Sequence, residues 1–233
     1  MPTVQPANNN AAENIGATRS STVYHQLRHD IIVGSLKPGS RLNINALCLR
    51  FDTALSPVRE ALNRLAPEGL VHKIDNRGFV VAPVSVEEMN DLTMARCWLN
   101  ETALRDAIAH GDTAWEEAVI VALHRLTRTR RDETNEAQQD IWSEVHRAFH
   151  NVLISACRSA TILRYCDETF VASERYRHIA RRSGKRRLDK DTHGEIAQAA
   201  IDRKADLAVE LLNQHFKRTG DHVKTMLGKQ GDS

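Results

Sequence analysis

Four histidines in the second half of the sequence have a spacing that suits metal-binding imidazoles. His146 and His150 are four residues apart in "SEVHRAFHNVL", so both lie on one side of one helix, a turn from each other. His193 and His215 each continue an apolar helical stripe further along the chain. Because all four lie on predicted inward faces, they can converge on one divalent ion, and four nitrogen ligands favour Zn²⁺ or Ni²⁺ over Mg²⁺ or Ca²⁺. For any one of them, a buried histidine hydrogen-bonded to a carbonyl group is the alternative.

A second group of polar side chains lies in the stretch "ALSPVREALNRLAPEGLV". Its apolar residues recur at helical spacing and form one buried stripe, which leaves Arg59, Asn63 and Arg64 outside the stripe. Arginine and amide side chains on an exposed helix are typical of contacts with phosphates and base edges. The alternative is a solvated helix face on which Arg59 pairs with Glu60 or Glu68.

The elements before and around this stretch are predicted to be three short helices. Apolar spacing predicts the first two helices over residues 20–33 and 43–51. Ser56 is a suitable N-cap for the third helix, and Pro57 suits its first position, where a missing N–H costs no hydrogen bond. Gly69 is placed to end the third helix in a left-handed conformation.

A β-hairpin is predicted directly after the third helix. Two short apolar runs flank Asp75-Asn76-Arg77-Gly78, in which asparagine and glycine tolerate the positive φ angles of a tight turn. Three helices and a hairpin are typical of a winged helix-turn-helix domain, which we assign to residues 20–84. Residues 1–19 have neither the apolar core of a secretory signal nor an arginine-rich amphipathic pattern, and are predicted to be a disordered tail.

The remainder of the chain, residues 85–228, is predicted to be an all-α bundle. Ser85 and Glu88 form the pattern of a capping box at its start, and every strong apolar pattern after them has a helical period. The predicted helices span residues 86–109, 113–128, 137–156, 160–181, 191–203 and 205–227. The expected fold class is therefore mainly α, with strands confined to the N-terminal hairpin.

The composition alone leaves the class of binding partner open. The 32 Lys and Arg residues nearly balance the 30 Asp and Glu residues, for a formal charge of +2. Residues 1–84 are slightly basic, with nine Lys or Arg against six Asp or Glu. No apolar run approaches the ~20 residues that span a bilayer. The four widely spaced cysteines are typical of free thiols in a reducing compartment, so we expect a cytoplasmic protein without membrane contact.

The first domain resembles a known family. The runs "LRHDIIVGSLKPGSRLNINAL" and "SPVREALNRLAPEGLVHKIDNRGFVVAPVS" resemble the N-terminal domain of GntR-family bacterial transcription regulators. The resemblance implies binding to a double-stranded DNA operator as a homodimer, with the third helix in the major groove and the wing in a neighbouring groove. The implied DNA contacts are Arg59, Asn63 and Arg64 of that helix, Ser56 at its cap, Arg77 and Gly78 in the wing, and Asn45 and Arg50 as further candidates. One departure is Ala54-Leu55, where family members usually carry serine and arginine.

The second domain resembles the FCD ligand-binding domain of the FadR subfamily. In metal-binding FCD domains an aspartate and a histidine in the pattern D-x-x-F-H precede two histidines on the last two helices. This chain has His146 at the aspartate position and His150 at the histidine position, and His193 and His215 are 22 residues apart, as in the family pattern. The resemblance therefore implies a metal site made of all four histidines.

The same resemblance implies a ligand-responsive repressor whose effector is a small carboxylate or hydroxy acid bound at the metal. Arg96 occupies the place of a family arginine and is the candidate partner of the effector carboxylate. An ion pair of Arg96 with Glu101 or Glu174 is the alternative. Two other functions stay open: a metal-dependent enzyme, although the sequence has no H-E-x-x-H motif, and a zinc ion that only stabilises the bundle.

Overall fold

The structure, a computed structural model, describes residues 10–75, 78–132, 135–181 and 191–228. Within these ranges the chain forms nine helices and three strands. It divides into two units, Met1–Val84 and Ser85–Ser233. None of the described helices is long and apolar enough to cross a membrane. The mainly α fold class is confirmed.

The first unit contains three helices and a small antiparallel sheet. Its elements are α1 (Asn10–Ile32), β1 (Arg41–Leu42), α2 (Ile44–Arg50), α3 (Leu55–Leu65), β2 (Val71–Ile74) and β3 (Gly78–Val81). The strands lie in the order β1-β3-β2, with Arg41 opposite Val80 and Val71 opposite Val81. The apolar faces of the helices and the sheet form one core. Three helices followed by a hairpin are the expected winged helix-turn-helix.

Helix α3 begins at Leu55, two residues before the predicted first residue, Pro57. Its N-cap is Ala54, which makes no side-chain hydrogen bond to the helix, so Ser56 is the second helical residue and its prediction as the N-cap is wrong. The first four N–H groups of a helix have no intrahelical partner. Pro57 therefore fits the third position as well as the first, and the proline does not fix where the helix starts. Gly69 has the predicted left-handed conformation, with a φ of 70°, but it does not end the helix, because α3 ends at Leu65 with Ala66 as its C-cap.

Two further differences concern the beginning of the first unit. Helix α1 begins at Asn10, so residues 10–19 are helical where we expected part of a disordered tail. Residues 1–9 of the predicted tail lie outside the described residues. The sequence also does not predict β1, because a strand of two residues has no alternating pattern.

The second unit consists of six helices, with no strand among its described residues. They are α4 (Val86–His110), α5 (Thr113–Arg128), α6 (Glu136–Leu153), α7 (Ala160–Arg181), α8 (His193–Ile201) and α9 (Ala205–Gly228). The hydroxyl of Ser85 accepts a hydrogen bond from the backbone N–H of Glu88 at 3.0 Å, as in the predicted capping box. Helix α6 ends three residues before the predicted residue 156, and α8 begins two residues after the predicted residue 191.

The core of the second unit lies between α4 and the helices around it. Helix α4 packs against α7 and α9, α5 packs against α6 and α8, and α8 packs against α9. Leu104, Phe149 and Leu212 are among its most buried side chains, and burial of each stabilises the fold by about 1.5–3 kcal/mol. Since α6 and α8 both pack on α5, their inward faces lie close together.

Candidate metal site, effector cavity and DNA-binding face

The structure brings the four histidines into one cluster. His146 and His150 lie one turn apart on α6, His193 is the first residue of α8, and His215 lies on α9. One ring nitrogen of each lies within 4.8 Å of the nitrogens offered by the other three, and all four side chains are buried. We term this group the histidine cluster. His222, a further histidine on α9, lies outside it.

His146 lies at the centre of the histidine cluster. Its Nε2 atom is 3.1 Å from Nε2 of His150 and 3.2 Å from Nε2 of His193. The indole of Trp142 stacks on the His146 ring, with ring centroids 4.6 Å apart and planes inclined by 15°. Phe170 packs near the rings of His146 and His150, at 5.5 and 5.6 Å between centroids. Aromatic packing thus fixes the orientation of these imidazoles.

The outward nitrogens of the cluster have different partners. The contacts are Asp191 Oδ1 with His193 Nδ1 at 2.5 Å, Thr192 Oγ1 with His215 Nδ1 at 3.3 Å, and Arg177 Nη1 with His146 Nδ1 at 3.2 Å. A carboxylate accepts the Nδ1–H of His193, which leaves the lone pair on Nε2, inside the cluster. A guanidinium can only donate. His146 Nδ1 therefore accepts a hydrogen bond from Arg177, which places the proton of the neutral ring on Nε2. Metal binding through this Nε2 requires transfer of that proton to Nδ1.

Burial lowers the pKa of His146 and of His150 well below the usual value of histidine. For His146 the next cause is the positive charge of Arg177, and for His150 it is the neighbouring histidines. Both imidazoles are therefore neutral at pH 7. The neutral imidazole is the form that binds metal ions.

The histidine cluster fits a divalent transition metal. Neighbouring nitrogen ligands at about 2.0–2.1 Å from a tetrahedral zinc ion lie about 3.3–3.4 Å apart. The separations from His146 to His150 and His193, 3.1 and 3.2 Å, are close to that spacing. Imidazole ligands suit zinc, nickel and copper, whereas Mg²⁺ and Ca²⁺ prefer oxygen. The donor set therefore agrees with Zn²⁺ or Ni²⁺.

A cavity of about 280 Å³ lies next to the histidine cluster. Its lining comprises Leu126, Thr127, Thr129, Arg131, Trp142, His146, Arg177, Asp191, His193 and His215. The guanidinium carbons of Arg131 and Arg177 lie 4.7 and 5.2 Å from the ring centroid of Trp142. Two cationic side chains and an indole thus face a space that can hold a small organic molecule.

Arg96 is not among the residues that line this cavity. Its side chain is buried, with its guanidinium carbon 4.1 Å from the ring centroid of Phe216 and 5.5 Å from that of Phe170. Burial lowers the pKa of Arg96 to about 10. The two carboxylates considered as its partners pair with other arginines. The effector contact of Arg96 stays a prediction, while Arg131 and Arg177 are the arginines that face the cavity.

In the first unit, α3 exposes most of the side chains expected to contact DNA. Ser56, Arg59 and Asn63 are exposed, and the opposite face of the helix is buried in the core. In the part of the chain that the structure describes, the Arg59 guanidinium has no hydrogen bond or ion pair. Glu68, its alternative partner, accepts hydrogen bonds from Tyr24 at 2.5 Å and Arg28 at 2.9 Å. Arg59 is therefore available to a ligand.

Two of the predicted DNA contacts are engaged by neighbouring side chains. The guanidinium carbon of Arg64 lies 4.1 Å from the ring centroid of Tyr24, which is a cation–π contact. Arg50 forms an ion pair of 2.8 Å with Asp30. On binding DNA, each arginine would either keep its contact within the unit or exchange it for a contact with DNA.

The remaining predicted contacts lie on α2 and in the wing. Asn45 is exposed on α2. Gly78 begins β3 with a φ of 90°, a conformation that side chains with a Cβ rarely adopt, so the wing requires glycine at this position. Arg77 lies outside the described residues.

Comparison with known proteins decides the family. Residues 19–81 match the family described as bacterial regulatory proteins, gntR family, and residues 91–218 match the FCD domain. The FCD match alone covers more than half of the chain. The chain belongs to the GntR family.

Relatives of this GntR-family regulator are transcription factors. It is 37% identical over 199 residues to the HTH-type transcriptional regulator BphR of Paraburkholderia xenovorans (strain LB400), covering 83% of this chain and 80% of BphR. It is 32% identical over 198 residues to the HTH-type transcriptional repressor GlaR of Escherichia coli (strain K12), covering 83% of this chain and 90% of GlaR. The chain is a GntR-type DNA-binding transcriptional regulator with an FCD effector-binding domain.

Two solved structures are similar to this chain over most of its length. A GntR family member from Pseudomonas syringae pv. tomato str. DC3000 is 26% identical with a TM-score of 0.55, covering 92% of this chain and 88% of that protein. E. coli McbR/YncC has a TM-score of 0.71 at 18% identity, covering 90% of this chain and 98% of that one. The second likeness concerns the fold alone.

The residues of the site that sequence reasoning missed include Trp142, Arg131 and Asp191. Trp142 lies one turn before His146 on the same inward stripe, so the spacing W-x-x-x-H could have located it. Arg131 and Asp191 lie outside helices, where apolar periodicity gives no signal. All three line the cavity of the GntR-family regulator.

The enzyme alternative gains no support from the site. Metal-dependent hydrolysis needs a general base beside the metal-bound water. Glu144, Asp191 and Glu195 are each two residues from a histidine of the cluster; the two glutamates are exposed, and Asp191 is bonded to His193. The relatives BphR and GlaR are regulators.

Proposed function

We propose that this GntR-family regulator is a repressor whose operator binding responds to a small anionic effector bound beside a metal ion. The observation that carries the proposal is the histidine cluster next to a cavity that two arginines also line. A purely structural metal site needs no ligand cavity beside it. Repression, rather than activation, is inferred from the transcriptional repressor GlaR, to which this chain is 32% identical.

His146, His150, His193 and His215 would hold the ion, preferably Zn²⁺ or Ni²⁺. When bound, the ion would supply positive charge and coordination positions for oxygen atoms of the effector. The chain's own contribution is orientation: the Asp191 carboxylate, 2.5 Å from His193 Nδ1, fixes which nitrogen of that ring faces the cluster.

The effector is proposed to be a small carboxylate or hydroxy acid. Arg131 and Arg177 both line the cavity and lie against Trp142, and a guanidinium binds a carboxylate through two parallel hydrogen bonds. Arg177 also pairs with the buried Glu174, which holds its side chain in place. A cavity of about 280 Å³ suits a small acid rather than a large ligand.

DNA binding and effector binding would be coupled through a homodimer. One recognition helix contacts few base pairs, so two-fold symmetry is needed to recognise a near-palindromic operator with useful specificity. An effector changes operator affinity only by the difference between its affinities for the DNA-bound and DNA-free arrangements.

The exposed face of α4 supports pairing with a second copy of the chain. Trp98 is 63% exposed and Met94 is 46% exposed on this face. Asp91 precedes Trp98 by seven residues and Arg105 follows it by seven. In an antiparallel pair of α4 helices about Trp98, each Asp91 would therefore face the partner's Arg105. Arg105 also pairs with Asp206 at 2.7 Å, and its guanidinium has further donors.

A cysteine cross-link tests this pairing. In a Cys48→Ser background, Trp98→Cys should form a disulfide-linked dimer under mild oxidation, because a residue on a two-fold axis meets its own copy. Tyr165→Cys, at an exposed position on α7, is the matched control and should stay monomeric on a non-reducing gel. A dimer in solution without a cross-link at position 98 would refute the α4 pairing.

Operator binding with and without metal tests the main proposal. Footprinting upstream of the regulator's own gene, with random competitor DNA at near-physiological salt, would first locate the operator. Protein loaded with Zn²⁺ or Ni²⁺, and protein treated with EDTA, would then be titrated with acetate, lactate, malate and citrate while fluorescence anisotropy follows operator binding. A metal-dependent change in operator affinity with one of these acids is the expected result.

Arginine variants identify the effector contacts. Arg177→Gln and Arg131→Gln should each weaken the response to the active acid by about 10-fold or more, because a charge-assisted hydrogen bond contributes about 1.5–3 kcal/mol. Arg164→Gln, an exposed position on α7 that pairs with Glu168, is the matched control. If metal removal unfolds the domain and no acid binds the metal-loaded protein, the metal is structural and the proposal fails.

A further inference from the structure

Leu55 is an apolar side chain at the start of the recognition helix α3. It is the first helical residue and is 44% exposed. One turn further along, Arg59 is exposed as well, followed one turn later by Asn63. An exposed leucine therefore begins a row of polar side chains on the helix that this GntR-type regulator inserts into DNA.

Leu55 lies outside the buried core of the first unit. The buried core residues of α3 are Val58, Ala61, Leu62 and Leu65, whereas Leu55 keeps 44% of its surface exposed. The helix N-cap, Ala54, makes no side-chain hydrogen bond, so no capping side chain covers the first turn. Leu55 is thus free to meet a surface from outside.

The major groove presents one apolar feature, the C5-methyl group of thymine. Guanine and adenine edges present acceptors and donors that suit arginine and asparagine, but they offer nothing to a leucine. We propose that Leu55 contacts a thymine methyl group in each operator half-site and so determines part of the sequence specificity. Arg59, one turn away, would then contact a base or phosphate nearby in the same half-site.

The expected size of the effect follows from the area of one methyl group. Burying one methyl or methylene group contributes about 0.8 kcal/mol, which is about 4-fold in affinity at 25 °C. Replacing one thymine by deoxyuridine removes only the methyl group and keeps both base-pair hydrogen bonds. Loss of the contact in both half-sites should therefore weaken operator binding by about 15-fold.

The test is a cycle of protein and DNA changes on the footprinted operator. Each thymine is replaced in turn by deoxyuridine, symmetrically in the two half-sites, and affinity is measured by fluorescence anisotropy at fixed salt. Wild-type protein is compared with Leu55→Ala, with Leu55→Met, which keeps apolar reach, and with Leu49→Ala. Leu49 is the matched control because it is an exposed leucine of α2, 85% exposed, and not of the recognition helix.

One thymine position should show the 15-fold loss with wild-type protein and no loss with Leu55→Ala. Leu55→Met should retain part of the loss, and Leu49→Ala should retain all of it. The proposal is overturned if no thymine position responds, or if Leu55→Ala responds to deoxyuridine as strongly as wild type. In both cases the protein still binds the operator, so neither result contradicts the conclusion that the chain is a DNA-binding regulator.

Discussion

Lowering the pH should destabilise the metal-free helical unit in a way that reports on the histidine cluster. Burial lowers the pKa of His146 and His150 well below the usual value, so both stay neutral in the folded chain at mildly acidic pH. In the unfolded chain the same side chains titrate near pH 6.5. Below that pH the unfolded state binds more protons, and the free energy of unfolding must fall.

The magnitude follows from the unfolded state. Between pH 7.5 and 5.5, protonation stabilises an unfolded histidine by about 1.4 kcal/mol at 25 °C. Two histidines that remain neutral in the folded state therefore lower the free energy of unfolding by about 2.7 kcal/mol. Arg96 and Arg177 face them, remain charged over this range and oppose their protonation in the folded state.

Tryptophan fluorescence can follow this unit selectively. The chain has three tryptophans, Trp98, Trp115 and Trp142, and all lie in the second unit. Urea titrations in EDTA at the two pH values give the free energies of unfolding. The His146→Gln/His150→Gln double variant should lose about 2.7 kcal/mol less than wild type over the same range. Equal losses in the two proteins would refute the reasoning, whatever their absolute stabilities.

Three further outcomes are expected. Arg59→Ala should cost about 1–3 kcal/mol on the operator and little on random DNA in a competition assay, and an equal loss on both would show a phosphate contact only. His193→Ala should weaken Ni²⁺ binding in calorimetry more than His146→Ala, because its Nδ1 faces a carboxylate rather than a guanidinium. Gly111→Ala should lower stability by about 1–3 kcal/mol in thermal unfolding, since its Cβ would collide with the neighbouring indole, whereas Gly194→Ala meets open space.

The helical elements could be predicted from the sequence because their signals are local. Ser85 and Asp112 cap α4 and α5 through their own side chains, and both helices begin at the predicted residues, 86 and 113. The convergence of His146 and His193 also follows from local periodicity, since an inward stripe on a packed helix must face the core. Packing then decided only how close the rings lie, not which side they face.

The features of the fold and the site that could not be predicted are those that apolar periodicity does not determine. Pro57 fits the third position of a helix as well as the first, so it does not distinguish the observed N-cap of α3, Ala54, from the predicted one, Ser56. Arg131 lies after α5, and no spacing rule relates it to the histidines. Arg96 is buried against Phe216 and is not among the residues that line the cavity, so its effector contact stays a prediction.

A fourth histidine in place of an aspartate changes the electrostatics of the site. Imidazole ligands are neutral, so a divalent ion held by four of them would keep its full charge, whereas an aspartate ligand would offset part of it. Arg131 and Arg177 add two positive charges to the cavity lining, in which Asp191 is the carboxylate. Charges of one sign in a small cavity repel one another, and a bound anion relieves that repulsion. Coupling between two ligands is reciprocal, so an acid that raises the affinity for the metal has its own affinity raised by the metal by the same factor. A histidine at position 146, in place of the aspartate of the family pattern, would make that factor larger because the metal keeps its full charge.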